Sequence, residues 1–279
     1  MPLNVNLPPQ FVLFAWLSIL ILLQGCATPA EKFQQLARDF GLRQQDISGL
    51  PYQHRLFLNA RAQQAEHLAE LHVYLDGDGT PWTSGHFIAD DPTPRNPLIL
   101  QLLHEDPAPA LLLGRPCYYG LKMEPGCVPA LWTAQRYSSA VVASLVAALE
   151  QWLANRHVDR IVLIGFSGGG ALATLVGSRL PKVSLIITIA ANLDVKGWSD
   201  YHGYLSLEGS LNPKTDAHLP DRIKQIHLAG LNDDNVPATL IAAFAASQPK
   251  AIYLPYAGFS HSCCWLEIWP AFLKTYTQP

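Results

Sequence analysis

Ser167 stands in the run Gly165-Phe166-Ser167-Gly168-Gly169, directly after the apolar stretch RIVLIGF and directly before the helix-compatible GGALATLVGSRL. A serine hydroxyl is barely ionised at neutral pH, so it becomes a nucleophile only when a base takes its proton. Gly165 and Gly169 allow the two arms of a tight strand-to-helix turn to pass closely, which forces the serine into strained backbone and lifts its hydroxyl clear. The helix that follows points its free N–H groups and positive dipole end at the same spot. The chain has no G-x-x-x-x-G-K-[ST] or G-x-G-x-x-G motif here, so a phosphate-cradling loop is not the reading.

A nucleophilic serine on such a turn calls for an acid and a histidine downstream, each at a strand end, in the order Ser, Asp, His. HLAGLNDDNVP supplies Asp233 just past an apolar strand over Ile223–Ala229, with Pro237 opening the next helix. Asp234 is its neighbouring rival, and Asp194 is a remoter candidate. YAGFSHSCCW places His261 just past a strand over Lys250–Tyr256, and the interval after Asp233 has room for one helix and one strand. The negative charge that builds on the attacked carbonyl needs two donors. One is the N–H of Gly168. The second should come from the turn after an early strand, where HVYLDGDGTPW offers the N–H of Asp78, with Gly77 as second choice. A carboxylate beside that charge is unfavourable, so the side chain of Asp78 should turn away, toward a local N–H or a cation. His54, His72 and His227 fall within strands, and His67, His104 and His157 read as helical or helix-end positions. His202 and His218 could touch a substrate.

These groups need a scaffold that brings strand ends together. HRLFLNA (54–60) and ELHVYLDG (70–77) read as strands, NPLILQLLHED as a helix and PALLLGRP as a buried strand. Thr133 to Asn155 carries Val141, Leu145, Ala148, Leu149 and Leu153 on one face, the spacing of a long amphipathic helix. VSLIITIAA is the next strand. The helix ATLIAAFAAS follows later, and a last helix, CCWLEIWPAFLKTY, is interrupted at Pro270. Alternating strands and helices, with several strands apolar on both faces, predict an α/β domain: a mainly parallel central sheet with helices on both faces. Residues 54–279 form it. Residues 26–53 read as a polar tether with a short helix ended by Gly41, and 193–221 as an aperiodic loop over the site.

At 279 residues, 49 % hydrophobic and 15 % charged, the chain can bury a sizeable core, which excludes bulk disorder. A net charge of −3 without a basic block excludes a nucleic-acid partner. The uninterrupted apolar run Phe11–Leu23 has the length of a signal-peptide core. It ends at LQGCA, where Leu23, Gly25 and Cys26 match a bacterial lipobox, in which the cysteine receives lipid. Gln24 and the lack of Lys or Arg in the first ten residues depart from that pattern, and a plain signal peptide or an uncleaved anchor are the alternatives. Residues 1–25 are therefore expected to be a signal peptide, leaving a lipid-anchored protein of the bacterial cell envelope. Ala27 points to the outer membrane, facing the periplasm.

Export makes disulfides available. Cys117 and Cys127 flank a short Gly/Pro loop and are expected to pair. Cys263 and Cys264 are adjacent, where a bridge is strained, so they are expected to be buried thiols or to join elsewhere. Zinc on Cys263, Cys264 and His261 lacks a spaced second ligand pair, so no metal and no cofactor are expected.

From about residue 54 to 276 the chain resembles the α/β-hydrolase superfamily, and within it a group of bacterial lipoproteins bearing YLDGDG, GRPC, RYS, GFSGGG and a GFSHSCCW-like end. The resemblance implies Ser167 as nucleophile, His261 as base and acid, Asp233 as the orienting acid, and Gly168 with Asp78 as oxyanion donors. One departure is Asp76-Gly77 where the superfamily usually has His-Gly. The implied chemistry is acyl transfer on a small ester or thioester. A peptidase or amidase on the same residues, or a non-catalytic ligand-binding lipoprotein, are the alternatives. Trp82, Tyr118, Tyr119, Trp132, Trp198, Tyr201 and Tyr204 could form an apolar rim, or could simply pack, since seven tryptophans must go somewhere.

Overall fold

The sheet is built outward from the RIVLIGF strand, whose residues Ile161–Gly165 are buried from both sides. In the computed structural model, which describes residues 27–64 and 66–277, the elements run in chain order as follows. Helix α1 (Pro29–Asp39) precedes β1 (Arg43–Ser48), β2 (Gln53–Leu58), a one-turn α2 (Ala60–Gln64) and β3 (His67–Leu75). A small hairpin, β4 (Trp82–Thr83) and β5 (Phe87–Ile88), leads to α3 (Leu98–His104) and β6 (Ala110–Leu113). Then come α4 (Ser139–Leu153), β7 (His157–Phe166), α5 (Gly168–Gly177) and β8 (Val183–Ile189). Two short helices, α6 (Val195–His202) and α7 (Pro213–Asp216), precede β9 (Lys224–Gly230), α8 (Ala238–Ser247), β10 (Ala251–Tyr256) and α9 (Trp265–Tyr276).

Eight strands form one sheet in the order β1-β2-β6-β3-β7-β8-β9-β10. β2 pairs antiparallel with both β1 and β6, and the other pairs are parallel. After β3 the chain crosses to β6 on one side, whereas after β7 it crosses to β8 on the other. The loops leaving the neighbouring strands β3 and β7 therefore diverge, and a crevice opens between them at their carboxyl ends. Right-handed crossovers in opposite directions put their helices on opposite faces. Accordingly α4 packs with α5, and α3 packs with the C-terminal α9.

Several expectations change. Residues 27–53 are not a tether. Thr28 and Glu31 form a reciprocal capping box, Ala30, Phe33 and Ala37 of α1 are buried, and β1 adds an outer strand to the sheet. β1 reads RQQDIS, and its polarity hides it because an edge strand needs only one buried position, here Ile47. The helix expected from Thr133 starts at Ser139, because Pro129–Trp132 form a 3₁₀ turn and the Ser138 hydroxyl accepts the Val141 N–H. The final helix runs through Pro270 without interruption. Pro270 is on the exposed side, where the carbonyl left without its donor, that of Leu266, can turn to water. The segment 193–221 is not aperiodic: it contains α6, capped by Asp194, and α7. The apolar run 11–23 and Cys26 lie outside the described residues, and among those described no helix is long and apolar enough to cross a membrane.

Candidate active site

Ser167 joins β7 to α5 with φ 53° and ψ −124°, a left-handed conformation that costs a non-glycine residue free energy. Its N–H donates to Ile189 (2.9 Å), and its carbonyl accepts the N–H groups of Gly170 (3.0 Å) and Asn192 (3.2 Å), which hold the turn. A Cβ at position 165 would collide with the Gly169 carbonyl, and one at 169 with the Leu75 carbonyl of β3. Both glycines are thus required by close backbone approach.

The ends of β9 and β10 deliver the other two groups. The Gly230 backbone presses against Phe259, and the Asn232 N–H donates to the Phe259 carbonyl (2.9 Å), so the two loops are fastened together. His261 Nε2 lies 3.0 Å from Ser167 Oγ, and His261 Nδ1 lies 2.8 Å from Asp233 Oδ2. A carboxylate only accepts, so Nδ1 carries the proton and Nε2 is left to accept from the hydroxyl. The other oxygen of Asp233 accepts the N–H groups of Asn235 (2.9 Å) and Val236 (2.8 Å). The Asp233 side chain is 0 % exposed and that of His261 23 %, so the acid is sealed while the imidazole still faces the cleft. Asp194 is occupied elsewhere, with Lys214 at 2.6 Å and the Gly197 N–H at 3.0 Å. The structure brings Asp233, not Asp194 or Asp234, to the imidazole.

Across the crevice, the loop after β3 lies against the serine: a Cβ on Gly77 would sit 3.3 Å from that of Ser167. The Gly77 N–H already donates to Asp76 Oδ1 (2.8 Å). The N–H groups of Asp78 and Gly168 donate to no acceptor among the described residues, which leaves both free for a developing oxyanion. The Asp78 carboxylate is clamped by Arg115 Nη2 (2.8 Å), Arg136 Nη1 (2.8 Å) and the Tyr137 hydroxyl (2.7 Å), while Tyr118 donates to the Asp78 carbonyl (2.9 Å). Burial alone would raise the pKa of Asp78, but Arg136, Arg115 and Tyr137 outweigh it and hold the group below the usual carboxylate range. Asp76 behaves differently. Burial lifts it to about 6, against the pull of the Gly77 N–H and the more distant Arg115.

Sequence reasoning assigned no role to Arg115, Arg136 or Tyr137. The available signal was a cation directly behind the fully buried β6 in LLLGRPC, and the late start of α4, which frees Arg136 and Tyr137 to reach Asp78.

These groups open into a cleft of about 1290 Å³. Of the suggested aromatic rim, Trp82, Trp198 and Tyr204 line it. Tyr118, Tyr119 and Trp132 are buried packing groups, with hydroxyl or indole hydrogen bonds to Asp78, Asp76 and Ala89, and Tyr201 points to solvent. The 193–221 segment does form one wall. It is pinned by the Leu211 N–H on the Tyr137 carbonyl (3.0 Å) and by the Trp198 indole on the Asn235 carbonyl (2.8 Å). His202 is spent on the Asn235 carbonyl, and neither it nor His218 lines the cleft. Asn192, which does, keeps its side-chain oxygen buried and without a partner among the described residues.

Cys117 and Cys127 are bonded. Cys263 and Cys264 are also bonded, to each other, contrary to the expectation of buried thiols. Cys264 has φ 80°, a sharp turn that folds adjacent side chains together, and Cys263 is exposed rather than in the core. Neither sulfur is then available beside His261 as a zinc ligand. Metal-type spacing does occur at the opposite end of the sheet, where one atom each of His67, His157 and Asp159 lie within 4.8 Å of one another, all exposed.

No family model and no curated protein matches the chain. Solved structures do. Est1E from Butyrivibrio proteoclasticus, with ferulic acid bound, superposes with a TM-score of 0.61 at 12 % identity over 84 % of this chain and 97 % of that one. XC6422 from Xanthomonas campestris, an α/β serine hydrolase without a lid, gives 0.55 at 11 %, over 84 % and 94 %. The acylaminoacyl peptidase of Pyrococcus horikoshii gives 0.60 at 10 %, over 85 % of this chain and 41 % of that one. At such identities the likeness establishes the fold: the chain has the α/β-hydrolase architecture.

Proposed function

We propose that the protein is a serine hydrolase that cleaves carboxylic esters or thioesters through an acyl-enzyme. The observation that carries this reading is the continuous hydrogen-bonded line from Ser167 Oγ through His261 to Asp233, opening into a cleft. In the reaction, His261 Nε2 takes the Ser167 proton as Oγ bonds to the carbonyl carbon. The carbonyl oxygen becomes an oxyanion held by the Gly168 and Asp78 N–H groups, each worth about 2.7–4 kcal/mol in the transition state. His261 then protonates the departing alcohol or thiol, and water repeats the sequence to release the acid. Asp233 keeps the imidazole in the required tautomer and supports its positive charge.

The apolar side chains of Trp82, Phe166, Trp198 and Tyr204 suit an apolar or aromatic acyl group, in keeping with an Est1E structure that holds ferulic acid. Likeness to an acylaminoacyl peptidase keeps amide cleavage as a second reading. We place the protein in the bacterial cell envelope, held by lipid on Cys26 and facing the periplasm from the outer membrane. The test is a series of ester, thioester and amide of one acyl group given to wild type and Ser167→Ala. Turnover of ester and thioester by wild type alone supports the proposal. Turnover of the amide only would move the protein to the peptidases.

A further inference from the structure

Six of the twelve large apolar side chains exposed among the described residues are gathered on two arms of the cleft mouth. One arm is the β4–β5 hairpin, with Trp82, Phe87 (71 % exposed) and Ile88; the other is the end of α6 and the loop behind it, with Tyr201, Tyr204 and Leu205 (91 % exposed). Trp82, Tyr204 and Leu205 also line the cleft, so the two arms border one opening. Clustered exposure of this kind marks a surface that something covers.

The start of the described chain indicates what that is. α1 begins at Pro29, with its capping box already at Thr28. Cys26 precedes that cap by two residues, and at about 3.3–3.6 Å per residue a lipid on it stays within roughly 10 Å of the start of α1. That start is fastened to the cleft wall. The Ala30 N–H donates to Asp91 (3.0 Å), just beyond the hairpin, and Asp91 also accepts Arg95 (2.7 Å), which lines the cleft. A leash this short cannot let the domain turn its mouth freely away from the surface that holds the lipid.

We propose that the cleft mouth rests on the bilayer, with the hairpin and the Tyr201–Leu205 arm seated in its headgroup and acyl boundary, and that the substrate is an acyl lipid drawn from it. The proposal rests on the ester-hydrolase reading and on lipidation of Cys26. Water adds across the lipid ester, leaving a free carboxylic acid and the alcohol-bearing remainder.

The test uses the full chain in vesicles of phosphatidylethanolamine and phosphatidylglycerol. It compares a long-chain ester carried in the vesicles with a short-chain ester in solution. Phe87→Ser with Ile88→Ser lies outside the cleft lining. It should lower vesicle-ester hydrolysis about tenfold or more and leave the soluble ester within about twofold. A flexible Gly/Ser insertion of about 20 residues between Ala27 and Thr28 should produce the same selective loss. Equal loss on both esters, or none on either, overturns the proposal. So does a dimer in wild type that the hairpin variant dissolves, because a second copy would then be the covering partner. Wild type that cleaves neither ester contradicts the hydrolase reading itself, a different failure.

Discussion

The two walls of the crevice are held by opposite means. On the β7–β9–β10 side, Ser167, His261 and Asp233 form a single file of hydrogen bonds, with the imidazole open to the cleft. On the β3 side, Asp78 is locked by two guanidinium groups and a tyrosine hydroxyl, with Arg115 almost wholly buried. In the proposed reaction the first wall moves a proton in every turnover, so its imidazole stays open to the cleft while the acid behind it is sealed and held by two further N–H groups. The second has, in that reading, only to hold a backbone N–H still, so its charges are fixed in ion pairs. The proposed chemistry and its preorganisation are thus divided between two walls that the sheet topology places face to face.

Changes on the two walls should therefore fail differently. The largest effects belong to the first: Ser167→Ala or His261→Ala should reduce ester turnover by about 10⁴–10⁶-fold with the thermal transition nearly unchanged. Asp233→Asn should cost about 10³–10⁴-fold, since the amide favours the wrong imidazole tautomer. On the second wall, Arg136→Leu should lower kcat more modestly, by about 10–100-fold, and also lower stability by about 3–5 kcal/mol, because it breaks a buried ion pair. A loss of kcat with no change in melting temperature would show that Arg136 acts on the reaction itself and would blur the distinction.

The smallest effects should appear in stability against pH. Asp78 has a folded pKa below its unfolded value, so its contribution is present above the ordinary carboxylate range and fades as pH falls below about 4. His72 runs the other way. Burial would lower its pKa, but the carboxylates of Asp106 (2.6 Å) and Glu70 (3.0 Å) win and raise it to about 9. Its contribution is complete below about 6.5 and is lost as pH rises toward 9. Melting curves of wild type and His72→Gln should converge across that interval. A constant gap would contradict the charged form of His72.

The division between the walls also marks what the sequence made legible. Ser167, Asp233 and His261 lie far apart in the chain, yet each follows an apolar strand on a turn with its own local pattern, so each could be named. β3 and β6 to β9 were visible because burial on both faces leaves continuous apolar runs. β2 and the half-buried β10 are apolar enough to read, whereas the exposed two-residue strands of the β4–β5 hairpin leave no such run. Arg115 also follows an apolar strand, but nothing near it, Arg136 or Tyr137 names a partner: their role exists only once three separate segments meet at Asp78. β1 was hidden by the polarity an edge strand tolerates. The Cys263–Cys264 bond depends on one positive φ that residue types do not announce. Short-range signals report elements and turns, whereas clamps assembled from distant loops report themselves only in space.

Ser167 is the proposed nucleophile and His261 its proposed base. Treating the folded full chain with a fluorophosphonate and mapping the adduct by mass spectrometry tests both roles most directly. One adduct is expected, on Ser167, absent in Ser167→Ala and strongly slowed in His261→Ala. A folded wild type that stays unlabelled, or carries the adduct on another residue, would contradict it and favour a ligand-binding protein on a hydrolase scaffold.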